Sequence, residues 1–183
     1  GMLGVYQFAA GNLFAGKYIA TEMSGVRGNG VLGWGRPFSS RPVALKGYIR
    51  YEPKAVDRTN NCSDINAGDM DIGCIYIALG DWVGETSNGE TWPVIVKTNF
   101  KDGNSAKLFN PNDIHIIAYG EKTWDEATAG DGMVEFEIPI EYRNMDTKPT
   151  SIVLVASSSK YGDYFTGGVD STMWLDDLKL VYE

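Results

Sequence analysis

Hydrophobic and polar residues alternate with a period of two along much of the chain. Between residues 43 and 52 one side carries Val43, Leu45, Gly47, Ile49 and Tyr51, and the other Ala44, Lys46, Tyr48, Arg50 and Glu52. Successive strand residues point to opposite faces, so this pattern predicts a strand with one buried and one wetted face. Residues 133–143 repeat it, with Val134, Phe136, Ile138, Ile140 and Tyr142 against Glu135, Glu137, Pro139, Glu141 and Arg143. Residues 71–79 and 151–156 are more continuously apolar, as central strands covered on both faces are. Further strands are predicted over 17–23, 94–98, 114–119 and 173–182. Turn-forming clusters separate them at 24–35, 57–68, 84–90, 101–113, 121–132, 144–150 and 157–171. Apart from one turn near 124–129 there is no amphipathic segment of helix length, and no fixed repeat. Parallel strands need long crossover connections, so the pairing is expected to be antiparallel. The predicted fold is all-β, a two-sheet antiparallel sandwich of the jelly-roll type, forming a single domain over residues 1–183.

Composition narrows the function. With 43% hydrophobic and 22% charged residues among 183, the chain can bury one core. Lys and Arg total 16 against 24 Asp and Glu, a net charge of −8, which repels phosphate and argues against nucleic acid or anionic lipid as partner. No apolar run approaches the ~18 residues of a membrane span. Gly1 before Met2 reads as a scar of tag removal, and the residues after it lack the charged start and cleavage site of a signal peptide, which leaves the export history open. Cys62, Cys74 and His115 are too few for a Cys/His structural zinc site. His115, in the apolar run 114–117, is expected to be a structural strand residue. Cys62 and Cys74 either bridge in an oxidising compartment or remain free thiols with Cys74 buried.

The ten Tyr, five Trp and seven Phe are the best functional material. Sugar rings present flat C–H faces that stack on aromatic rings, and their hydroxyls need charged or amide partners. Tyr48 and Arg50, on the wetted side of one strand, are the first candidates for platform and hydroxyl partner. Trp34, Tyr119, Glu121, Tyr161 and Asp163 follow. Glu135 and Glu137 share a strand face at ~6.5–7 Å, a spacing that would suit the paired carboxylates of a glycosidase. Glu121 with Glu137 is the alternative pair. Alternating acids are equally what a solvated strand face displays. The acidic loop 64–71 resembles a calcium loop but departs from the EF-hand spacing. Asp176 and Asp177 form a second acidic pair, so structural calcium is the one cofactor considered. The run Gly25-Val26-Arg27-Gly28-Asn29-Gly30 lacks a strand-to-helix context and is expected to be a glycine-rich turn rather than a nucleotide loop.

The C-terminal motifs add a resemblance. Ile117-Ala118-Tyr119-Gly120-Glu121, Phe136-Glu137-Ile138-Pro139-Ile140-Glu141-Tyr142, the stretch Ser157 to Val169 and Trp174-Leu175-Asp176-Asp177 together resemble the putative carbohydrate metabolism domain family. Phe14-Ala15-Gly16 and the stretch Arg41 to Tyr51 look like its earlier motifs. The resemblance implies a β jelly roll, commonly C-terminal in a longer exported protein with an immunoglobulin-like module before it. It also implies carbohydrate recognition or processing at the bacterial surface. The sequence therefore points first to a noncatalytic carbohydrate-binding domain, extracellular or displayed at the cell surface. Its alternatives are a glycoside hydrolase and an adhesive module.

Overall fold

The computed structural model describes residues 7–24, 27–60, 62–98 and 106–182. Along the chain run β1 (Asn12–Phe14), β2 (Gly16–Ser24), β3 (Arg27–Trp34), β4 (Arg36–Pro37), β5 (Ala44–Glu52), β6 (Gly73–Gly80) and β7 (Glu85–Ser87). They are followed by β8 (Glu90–Trp92), β9 (Val94–Lys97), β10 (Ile116–Trp124), β11 (Val134–Pro139), β12 (Glu141–Tyr142), β13 (Ser151–Ser157) and β14 (Thr172–Val181). The one helical element among the described residues is a 3-10 turn, Gly162–Tyr164. Among the described residues no helix is long and apolar enough to cross a membrane.

A central sheet is ordered β1-β13-β6-β10-β12, with β4 also on β13; β11-β5-β14 and β2-β3-β9 form two smaller sheets, and β7-β8 a hairpin. Their pairings are antiparallel.

Strand β6 shows why the layers stack as they do. Ile75, Ile77 and Leu79 project to one side and pack with Leu45, Ile49, Tyr51, Phe136 and Ile138 of the β11-β5-β14 sheet. Tyr76 and Ala78 project to the other and meet Leu32, Trp34, Val94 and Val96 of the β2-β3-β9 sheet. Both faces of β6 are covered, which is the physical origin of its continuous apolar run. The antiparallel all-β sandwich expected from the sequence is present, with a third layer laid over one face of its central sheet.

That third layer contains the main correction. Residues 24–35 do not form a turn cluster: Arg27–Trp34 is a strand of the β2–β3 hairpin. Gly25 and Val26 lie outside the described residues, as do Gly1 and residues 101–105 of another expected turn. The glycines of β3 provide room; a side chain at Gly33 would clash with the Trp92 ring laid against it. Residues 85–87 and 90–92 pair as a hairpin within a stretch expected to be a turn, and residues 121–124 extend β10. The strand expected at 114–119 begins at Ile116 instead. Ile114 is 93% exposed, and His115 lies in a turn with Nδ1 3.2 Å from Asp81 Oδ1. Cys62 and Cys74 are both free thiols, Cys74 buried.

Candidate functional site

Register builds the site. Phe14, Val155, Tyr76 and Glu121 lie opposite one another across β1, β13, β6 and β10; two residues along, so do Asn12, Ser157, Cys74 and Thr123. Directly opposed residues share a face, so these eight form one surface of the central sheet. The β2–β3 hairpin lies over part of it, contributing Tyr18, Thr21 and Met23 from β2 and Gly28, Gly30, Leu32 and Trp34 from β3. Position 30 carries no side chain and leaves space there, whereas at Gly28 the Thr21 side chain lies close against the backbone. The result is a cavity of about 520 Å³, to which Gln7 on one side and Lys160, Asp163 and Phe165 on the other add their side chains. That volume is within the range of small-ligand sites. A methyl group at Gly30 would meet Tyr18 and Thr98 at ordinary contact distances, 3.6 Å and beyond. The glycine there leaves volume rather than permitting close approach.

The wall is aromatic. Trp34 lies 6.0 Å from Phe14 and 6.3 Å from Tyr76, and Tyr76 stacks on Phe109 at 5.3 Å and 18°. Trp34 is 3% exposed, and its Nε1 has no hydrogen-bond partner among the described residues. An enclosed donor left unpaired costs about 1–3 kcal/mol. Cys74 contributes a neutral thiol, pushed up to about 12 by burial.

Asp163 is the group that stands out. No hydrogen bond or ion pair engages its carboxylate among the described residues, and burial alone pushes its pKa up to about 6. The residue keeps accessible surface because the cavity is open beside it, while protein crowds it on the remaining sides. Lys160, the other charged residue of the lining, is already matched: its Nζ is 2.7 Å from Glu121 Oε1, and Glu121 Oε2 accepts from the Tyr119 hydroxyl at 2.8 Å. Burial, reinforced by Glu121, holds the Tyr119 phenol well above its usual range. The Arg143 guanidinium lies over the Tyr119 ring at 5.4 Å.

The segment carrying Asp163 is fastened from beneath. Asp71, 1% exposed, accepts from the Ser159 hydroxyl at 2.6 Å and the Gly168 N–H at 2.8 Å through Oδ2, and from the Ile72 N–H through Oδ1. The Tyr51 hydroxyl donates to the Ser158 carbonyl at 2.9 Å, and the Asn60 N–H donates to Thr166 Oγ1. Asp163 is therefore displayed from an anchored loop. Phe165, at φ 55°, occupies the left-handed region that a bulky residue enters only when its surroundings compel it.

Elsewhere the expected residues separate into two groups. Trp34 and Asp163 line the cavity, and Tyr119 and Glu121 adjoin it through Lys160. Tyr161 belongs to the same loop but does not line the cavity. Tyr48 and Arg50 lie on the opposite side of the molecule, on the outer face of β11-β5-β14. There Tyr48 sits between Glu135 and Asp176, and Arg50 opposes Trp174. Arg50 bonds Glu52 and the Asp131 carbonyl and covers the Trp174 ring at 4.9 Å. Glu137 is paired with Lys46 at 2.7 Å. The Glu121–Glu137 pair is corrected: the two carboxylates lie on opposite outer sides of the sandwich, with the core between them. Sequence reasoning missed Tyr76, Phe14, Tyr18 and Phe165, since aromatic rings inside apolar runs carry the same signal whether they fill a core or face a cavity.

The acidic loop accounts for its own charges. Asp69 accepts from the N–H and the side-chain amide of Asn66, and Asp71 holds the loop described above. Asp176 accepts from the Asp177 N–H at a bulge in β14, where Asp177 has φ 49°. Among the described residues no group of three or more His, Cys, Asp or Glu is placed to hold a metal ion.

Fold and cavity together describe an antiparallel β-sandwich with an aromatic-walled cavity beside its central sheet. The chain belongs to the family described as "Putative carbohydrate metabolism domain", whose pattern matches residues 1–181. Two solved structures share the fold, at identities low enough that the likeness speaks to fold alone. One is described as a putative glycoside hydrolase from Bacteroides thetaiotaomicron (23% identity, TM-score 0.54, covering 85% of this chain and 47% of that one). The other is a putative glycoside hydrolase from Bacteroides vulgatus (21% identity, TM-score 0.57, covering 94% of this chain and 64% of that one). The chain thus spans about half to two thirds of their length. No curated protein matches it.

Proposed function

We propose that the domain binds carbohydrate without cleaving it, and that the sugar occupies the cavity between the β2–β3 hairpin and the central sheet. The observation that carries this reading is the Asp163 carboxylate, unpartnered among the described residues, at the edge of an aromatic-walled cavity. A carboxylate accepts hydrogen bonds from sugar hydroxyls, and aromatic walls bury the C–H faces. Family membership supports a carbohydrate ligand.

Binding is favoured over cleavage by the count of carboxylates. Two-carboxylate glycoside hydrolysis needs a pair flanking one bond, about 5 to 9.5 Å apart. Among the described residues Asp163 is the one carboxylate in the cavity lining. Glu135 and Glu137 stand on an open sheet face, where Lys46 neutralises Glu137.

The test is a glycan array on the purified domain, coupled to an assay for new reducing ends. Retention without release is expected. Asp163→Asn should lower retention roughly tenfold or more, the worth of one charge-assisted hydrogen bond, with near-UV circular dichroism unchanged. Reducing ends released by the wild type and lost in Asp163→Asn would instead make the domain a hydrolase, and no retention of any glycan would end the carbohydrate reading.

A further inference from the structure

Resting on that reading, we infer that the sugar carries a free, positively charged amine: the cavity is a site for an amino sugar whose ammonium pairs with Asp163. Two features of the lining point this way. The first is charge balance. Lys160 is matched by Glu121 at 2.7 Å, which leaves Asp163 as the one unbalanced charge of the lining among the described residues. Hydroxyl groups can solvate that charge but cannot neutralise it, whereas an ammonium does both. In a partly desolvated site the pairing is stronger than at an open surface.

The second is the company Asp163 keeps. Phe14, Tyr18, Trp34, Tyr76 and Phe165 line the same space. Aromatic faces attract cations through the ring quadrupole and are indifferent to neutral hydroxyls. Carboxylate and rings together favour a cation over an anion or a neutral group of the same size. The chain's net charge of −8 adds attraction at longer range. The remaining titratable groups around Asp163 are Cys74, Tyr76 and Tyr164, whose pKa values are all raised, so they stay neutral at physiological pH. None competes for the ammonium.

The experiment is calorimetric titration of the domain at pH 7 with matched ligands: β-linked glucosamine oligosaccharides, their fully N-acetylated counterparts, glucose oligosaccharides of the same linkage and length, and spermidine as a non-sugar amine. The glucosamine series should bind at least tenfold more tightly than either neutral series and more tightly than spermidine. In Asp163→Asn the preference over neutral sugars should disappear, leaving weak binding common to all three series. Equal affinity for the amine and neutral sugars in the wild type would overturn the inference while leaving carbohydrate binding intact. Spermidine binding as well as the amino sugar would also overturn it. An unchanged amine preference in Asp163→Asn would remove Asp163 from the role. Absence of binding to every sugar would end both readings. Should Asp163→Asn fail to fold, the wild-type comparison still decides.

Discussion

The two sugar-facing surfaces suggested by the sequence differ in what their polar groups are doing. On the outer face of β11-β5-β14, Arg50 is engaged by Glu52, Asp131 and Trp174, and Glu137 by Lys46. Those charges are balanced and at least partly exposed. Across the molecule, Asp163 and the Trp34 indole N–H are left without partners among the described residues, beside a cavity. Satisfied polar groups on an open sheet are what solubility requires, whereas unsatisfied ones beside an unfilled volume are where a ligand gains most. Both surfaces combine aromatic and charged residues; the pairing of Arg50 and Glu137 on one and the enclosure around Asp163 on the other distinguish them.

The largest contrast should come from the supports of the two faces. Asp71→Ala removes three hydrogen bonds to a buried carboxylate and is expected to cost about 2–4 kcal/mol, read as a drop in denaturation midpoint, with sugar retention lost as the 157–169 segment loosens. Glu137→Ala breaks a partly exposed ion pair and should cost about 1 kcal/mol or less. Similar costs for the two would mean that the Asp71 latch is not what holds the segment.

Next in size is the effect on binding. Gly30→Leu places a side chain in the cavity and should reduce retention roughly tenfold or more, comparable to Asp163→Asn, with circular dichroism preserved. Tyr48→Ala on the outer face should leave retention within about twofold of the wild type. Retention lost in Tyr48→Ala and kept in Gly30→Leu would move the site to the other side of the sandwich.

The smallest effect is on stability against pH. Asp163 holds its proton to about pH 6 when folded, against 3.8 for an ordinary exposed aspartate. Between those values the folded state binds the extra proton, so this group's contribution to stability falls as pH rises from about 4 to 6 and stays at its lowest above that. Asp163→Asn lacks the penalty. It should melt a few degrees higher than the wild type at pH 7, with the difference closing as pH falls through 6 towards 4. A variant less stable than the wild type at pH 7 would show that Asp163 has a stabilising partner.

Much of the fold was legible in the alternation of residues because a strand with one wet face writes its burial into every second position, as in β5 and β11. The β2-β3-β9 layer was not. Gly28, Gly30 and Gly33 suppress the strand signal: the first two leave positions empty on the face towards the central sheet, and the third leaves room for Trp92 on the other face. The site was half legible. Asp163, Glu121 and Trp34 were candidates by residue type, but the sequence has no means of showing that Glu121 is already committed to Lys160 and Tyr119 while Asp163 is uncommitted. Tyr76 was hidden in the apolar run of β6, and Asp71 looked like part of a cation loop because burial, the property that makes it a latch, depends on contacts some ninety residues distant in the chain.

The most direct measurement is the pKa of Asp163, followed by its side-chain carboxyl carbon resonance, with and without bound glycan. A ligand that contacts this carboxylate should lower the pKa from near 6 by stabilising the charged form, and the Tyr48 ring resonances should not move. An Asp163 titration indifferent to saturating glycan, with shifts at Tyr48 instead, would contradict the cavity as the binding site.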